Sequence, residues 1–245
     1  MKINEFKKIA IIVAMQQEAE PIIAQLGLLT TCIPELLPEL GMQAYRSKFF
    51  DQDIYLFTNG IDKKYNVNKV ATQPAAITAL ETIMAIKPDL IISAGTAGGI
   101  ANKGLSIGDV CLGSDYYMYH DRRIPSGDSE QYGIGYFSCP DAALLAKEFN
   151  LKTGIVSTGN SLTLSQEDEK VLQEHNVLAK EMEVAAIAEV ASMFNIPVLA
   201  VKAITNIVGI EADVAKEFKS NFNIAVQNLS ETLAIILTHN SRMRT

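Results

Sequence analysis

The sequence predicts an α/β fold with a largely parallel central sheet and helices on both of its faces. Three observations carry this. Short, β-branched apolar runs recur along the chain, and stretches with apolar residues at helical spacing lie between them. Strands that alternate with helices make parallel sheets, whose strands are buried on both faces and read as unbroken apolar runs. No linker, internal repeat or low-complexity tract interrupts the pattern, so residues 1–245 read as one domain.

The elements follow in order. Ile9–Met15 reads as a buried strand and Gln16–Leu26 as the helix after it. Asp53–Thr58 reads as a strand ended by the turn pair Asn59-Gly60, and Gln73–Ile86 as a helix. Leu90–Ser93 is a strand set off by Lys87-Pro88-Asp89, and a glycine-rich loop, Ala94-Gly-Thr-Ala-Gly-Gly99, follows it. Asp109–Ser114 is a strand after the turn Ile107-Gly108. Asp121–Pro140 is polar and rich in Gly, Ser and Tyr, and reads as a long surface loop. Ala142–Glu148 reads as a helix, Thr153–Ser157 as a strand and Glu183–Phe194 as a helix. Val198–Ile204 and Ala215–Leu237 supply the last strand and the last helix.

Composition excludes several classes. With 48% hydrophobic residues the chain has ample material for a core, so disorder is excluded. Lys+Arg number 21 against 28 Asp+Glu, a net charge of -7, and no basic block occurs; a non-specific nucleic-acid partner is not expected. Cys32, Cys111 and Cys139 are scattered and form no CxxC, and His120, His175 and His239 stand apart. That excludes a disulfide framework, a zinc ribbon and an HExxH helix, so no metal or cofactor is expected, and a reducing, cytoplasmic setting is. The first apolar run leads into Gln16, Gln17 and Glu18 rather than a cleavage site, and all such runs are too short to span a bilayer.

In open α/β sheets, ligands bind beyond the carboxyl ends of strands. That directs attention to Ala14, Met15 and Glu18 after the first strand, to the loop Ser93–Gly99, to Thr205 and Asn206 after the last strand, and to Glu181-Met182-Glu183 ahead of a helix. Each has two readings. The glycines either let backbone N–H groups approach a ligand or simply turn the chain; the spacing is neither GxGxxG nor GKS/T. Glu18 is a helix-start carboxylate favoured by the macrodipole, or a functional one. Glu183 has almost only apolar neighbours, so it is a helix cap or a desolvated functional acid. Lys202 interrupts a buried-looking strand and reads as a snorkelling edge residue.

These segments together carry a resemblance. Ile9–Glu18, Ser93–Gly99, Ile107-Gly-Asp-Val110, Ser157-Thr-Gly159 and Glu181-Met-Glu183 resemble the purine nucleoside phosphorylase/hydrolase superfamily, and within it the 5′-methylthioadenosine/S-adenosylhomocysteine nucleosidases. His120-Asp-Arg-Arg-Ile-Pro125, Tyr132-Gly133 and Val201-Lys-Ala-Ile-Thr205 resemble the plant-type 5′-methylthioadenosine nucleosidases. The resemblance runs from about Ile9 to Leu229. It implies one nucleoside phosphorylase-like α/β domain with a twisted, mixed, partly barrel-like sheet, a homodimer, and hydrolysis of the bond between adenine N9 and ribose in methionine salvage. It implies that Glu18 activates the attacking water and that Glu183 holds the ribose 2′-hydroxyl. It places Met182 against the ribose, Thr96, Ala97 and Gly98 beside the nucleoside, and Leu162 near adenine. Phe218 and Phe222, with the partner chain, would close the pocket at the 5′ end.

The chain departs from the family where an Asp is expected to protonate purine N7: the pair is Thr205-Asn206. The family's earlier Gly-Asp is Gly159-Asn160, and Val208-Gly-Ile-Glu-Ala-Asp213 replaces an acidic, Lys-containing loop. An amide donates a hydrogen bond but gives up no proton. Three readings stay open at this stage: an Asp replaced to trap a ligand, a nucleosidase for 6-oxopurine nucleosides, and a nucleoside-binding homologue without catalysis. Neither loop that would hold a phosphate supplies an Arg, so water is the expected nucleophile.

Overall fold

The computed structural model describes residues 1–124, 127–209 and 213–238. The chain opens with β1 (Lys8–Val13), α1 (Gln16–Leu26), β2 (Leu29–Thr30), β3 (Gln43–Phe49), β4 (Gln52–Thr58) and the small hairpin β5 (Ile61–Asp62) and β6 (Val67–Asn68). Next come α2 (Thr72–Ile86), β7 (Leu90–Ile100), β8 (Val110–Tyr119), α3 (Asp128–Ile134), β9 (Phe137–Ser138) and α4 (Ala143–Phe149). The last part holds β10 (Lys152–Thr158), α5 (Gln166–Glu174), β11 (Ala179–Glu181), α6 (Val184–Met193), β12 (Val198–Val208) and α7 (Val214–Thr238).

One sheet runs β11-β10-β8-β12-β7-β1-β4-β3-β2, and β11 also pairs with β7. That extra pairing closes β7, β12, β8, β10 and β11 into a ring, while β1, β4, β3 and β2 extend from it as an open sheet. Strand alternation assigns the two faces. Ile9, Ile11 and Val13 of β1 turn toward α1 and α7, packing with Ile22, Leu229 and Leu233. Ala10 and Ile12 turn the other way, toward α2 and α6, where Ala79, Ile83, Ile187 and Ala191 meet them. Small residues dominate the second face, which lets two helices lie close together on the sheet.

The sheet is mixed, as the resemblance implies: β8 runs antiparallel to β12, and β11 antiparallel to β7. Several other expectations need correction. The segment Ala94–Gly99 is not a loop; β7 runs straight through it, because β12 and β11 pair with its glycines on both sides. Lys202 is no edge residue, since β12 lies between β7 and β8 and the side chain is 1% exposed. The Asp121–Pro140 segment folds in part into α3 and β9. The short strands β2 and β3 and the polar helix α5 had no apolar run to announce them. Pro125, the sequence Ile210-Glu211-Ala212 and His239 lie outside the described residues.

Candidate active site

The carboxyl end of β1 hands the chain to α1, and Glu18 sits in the first turn of that helix. Its Oε2 accepts from the Met15 backbone N–H at 3.4 Å, the helix-start role. Its Oε1 accepts from the Thr96 backbone N–H at 2.8 Å and from the Thr96 hydroxyl at 2.7 Å, across β7. Glu18 is thus tied both to its own helix start and to β7. A Cβ at Gly95 would lie 3.3 Å from Glu18 Oε1, which explains the glycine beside the carboxylate. Burial pushes the Glu18 carboxyl above its ordinary range, against the lowering pull of Thr96 and Lys202.

The start of α6 bears on the capping reading of Glu183. Its side chain does not cap the helix. Glu181 does so instead, accepting from the backbone N–H groups of Glu183 and Val184 at 3.0–3.1 Å. Thr158 Oγ1 donates to Glu181 at 2.5 Å, and Lys202 Nζ pairs with it at 2.9 Å while donating to Ser93 Oγ at 3.0 Å. Lys202 thus neutralises a carboxylate buried at the helix start. Glu183 is left free to face the cavity and accepts from the Ala71 N–H at 2.9 Å. Burial first, and then the neighbouring Glu181 charge, raise its pKa well above the ordinary carboxylate value.

The opposite wall comes from β12. Thr205 Oγ1 donates to Asn206 Oδ1 at 3.0 Å, which turns Asn206 Nδ2 outward as a donor. A Cβ at Gly98 would lie 3.1 Å from that Nδ2 and 2.8 Å from Val208 Cγ2, so only a glycine leaves this floor open. Leu162, on the loop after β10, and Phe218, on α7, complete the wall, with the Phe222 ring tilted against that of Phe218 at 5.4 Å between centroids.

These pieces enclose one cavity of about 270 Å³. It is lined by Ala14, Met15 and Glu18, by Thr96, Ala97 and Gly98, and by Glu181, Met182 and Glu183. Leu162, Thr205, Asn206 and Phe218 line it too, whereas Ser93, Asn160, Lys202 and Phe222 do not. Two lining residues were missed, Val70 and Lys180. Val70 sits between elements and carries no local signal. Lys180 directly precedes Glu181-Met182-Glu183, and its burial beside a recognised motif was the available clue.

Asn160 does not line the cavity. Its N–H and Nδ2 donate to Asp121 Oδ2 at 2.6 and 3.2 Å, and its Oδ1 accepts from the Thr72 hydroxyl at 2.6 Å. A carboxylate at this position would face Asp121, so the amide suits its partners. Nearby, the buried His120 has its pKa lowered to about 4 by desolvation, with the Lys180 charge adding to it.

Comparison with known proteins agrees with this geometry. The model of the Phosphorylase superfamily matches residues 8–238. A 5′-methylthioadenosine nucleosidase of Arabidopsis thaliana is 37% identical over 238 residues, 96% of this chain and 88% of that protein. A 5′-methylthioadenosine/S-adenosylhomocysteine nucleosidase of the same plant is also 37% identical, over 94% of this chain and 90% of its own length. The apo structure of the Arabidopsis thaliana 5′-methylthioadenosine nucleosidase superposes with a TM-score of 0.92 at 36% identity, covering 96% of each chain. With its five-strand ring, its paired carboxylates and a family match across almost the whole described length, the chain belongs to the Phosphorylase superfamily.

Proposed function

We propose that the chain hydrolyses the N-glycosidic bond of 5′-methylthioadenosine, and of S-adenosylhomocysteine where the 5′ end of the pocket admits it, releasing adenine in methionine salvage. The observation that carries this is the pair Glu18, which is buried, and Glu183, which is half-buried, two carboxylates facing one small, mainly apolar cavity. The reaction makes the sugar cationic while the purine leaves with the bonding electrons. Glu18, oriented by Thr96, takes a proton from the attacking water. Glu183 holds the ribose 2′-hydroxyl and favours positive charge on the ring. The two nucleosidases of Arabidopsis thaliana support the substrate class by their names and near-complete overlap. No Arg lines the cavity among the described residues, which favours water over phosphate. The reaction calls on no metal or cofactor.

Asn206 sets the rate in this reading. A general acid contributes about 10²–10⁴-fold, so adenine release runs slower by about that factor than with an Asp there. The test is adenine release from 5′-methylthioadenosine at high enzyme concentration. Tight binding with no release overturns the hydrolase and leaves a binding protein. The outward Asn206 Nδ2 also favours a second reading, a 6-oxopurine nucleoside, because a donor suits both N7 and O6. Hypoxanthine or guanine release that exceeds adenine release would select it.

Assembly and location belong to the same proposal. Ile77, Leu80 and Met84 form an exposed apolar stripe on α2, and Met193 and Phe194 are exposed at the end of α6. A second copy of the chain would cover this face, giving a homodimer. No described helix is long and apolar enough to cross a membrane, and the free cysteines favour the cytoplasm.

A further inference from the structure

Lys180 is the one cation among the described residues that line the cavity. It is 4% exposed, and its Nζ donates to the Ser161 and Leu162 carbonyls at 3.1 and 2.7 Å. An ammonium has three donors, so one remains. The strand register places it with care. Lys180 of β11 pairs with Gly98 of β7, and Asn206 of β12 pairs with the same Gly98 from the other side. Residues directly opposed across strands share a face. The row is therefore cation, gap, amide, with its ends about 10 Å apart over two strand spacings. Lys202 cannot serve the cavity in this way, because Glu181 and Ser93 occupy it.

A purine leaving without a proton carries a full negative charge. Asn206 answers that charge only as a dipole. We propose that Lys180 is the charge partner of the leaving purine, its ammonium stabilising the negative ring while Asn206 holds the ring edge. This rests on the nucleosidase reading above. The water oxygen bonds to the anomeric carbon, and the electron pair of the broken bond goes to the purine. One proton of the water passes to Glu18 and then to solvent, from which the purine anion takes up its own. Nothing is oxidised or reduced.

The groups facing Lys180 set the pH dependence. Asp168 and Glu169 of α5, Asp121 beyond β8 and Glu181 beside it are acidic, with Arg123 paired to Asp168 and Lys202 to Glu181. His120 is the other titratable neighbour. Desolvation outweighs the acidic groups and brings the Lys180 pKa down to about 8. Turnover therefore falls as pH rises through that value.

Lys180→Gln keeps amide donors for the two carbonyls and removes the charge; Lys180→Arg keeps the charge. The expected result for Lys180→Gln is a kcat lowered by about 10- to 100-fold, KM within about threefold, and no falling limb near pH 8. Lys180→Arg restores most of kcat and carries the limb to higher pH; it also serves if Lys180→Gln folds poorly. In an Asn206→Asp background, where the purine leaves protonated, Lys180→Gln costs less than about threefold. An equal cost in both backgrounds identifies a loop clamp and overturns the proposal, as does an undiminished kcat. A wild-type chain that releases no purine from any nucleoside removes the nucleosidase reading itself, and this inference with it.

Discussion

The two walls of the cavity, its sugar side and its purine side in the proposed function, are built on opposite principles. On the sugar side, the buried Glu18 and Glu181 and the half-buried Glu183 converge, and each is held by protein donors: Thr96, the start of α6, Lys202 and the Ala71 N–H. On the purine side, Thr205 and Asn206 are neutral, and the cation lining the cavity among the described residues is Lys180. One side is ready to favour a cation on the sugar. The other offers dipoles and one distant charge to an anion. Glycosidic hydrolysis as proposed here calls on both, so the difference teaches that carboxylates and neutral donors are segregated to opposite walls of one cavity.

Restoring the missing acid gives the largest effect. Asn206→Asp should raise adenine release from 5′-methylthioadenosine by about 10²–10⁴-fold in steady-state assays, making the two sides alike. An unchanged rate would show that the purine side is limited elsewhere. The next effect is on stability. Lys202→Met strips Glu181 of its partner inside the protein and should cost about 3–5 kcal/mol in denaturant unfolding. The exposed pair Lys170–Glu174, broken in the same way, should cost under about 1 kcal/mol. A third effect has the opposite sign. The Glu183 carboxyl titrates above its unfolded value, so as pH rises past about 4.5 the unfolded chain ionises first and folding loses stability. Glu183→Gln removes that penalty. It should raise Tm at pH 8 by about 2–4 °C, leave it unchanged at pH 4, and abolish turnover.

Much of this was legible in the residues. Four strands of the ring, β7, β8, β10 and β12, and β1 announce themselves as apolar runs, because burial on both faces leaves little room for polar residues; β11, Ala179-Lys180-Glu181, has no such run. The cavity was legible through short motifs that resemble a family. What stayed hidden has a common cause, since pairing partners are not written locally. Ala94–Gly99 looks like a loop because glycine breaks isolated strands, yet β11 and β12 hold it extended. Lys202 reads as an edge residue because its counter-ion lies 21 positions earlier, in Glu181. Lys180 was overlooked because its partners are backbone carbonyls, which every residue has.

One irregularity in β12 constrains how this pocket can change over time. Ile204 pairs with Ala97 and Asn206 with Gly98, so Thr205 is an extra residue in its strand. That surplus lets two successive side chains, Thr205 and Asn206, reach the same cavity instead of opposite faces. Loss or gain of a single residue here would turn Asn206 away and slide the strand along β7. Ancestry can therefore rewrite the chemistry of this wall by substitution but not by insertion or deletion, and a lineage comparison should find its length fixed even where position 206 varies.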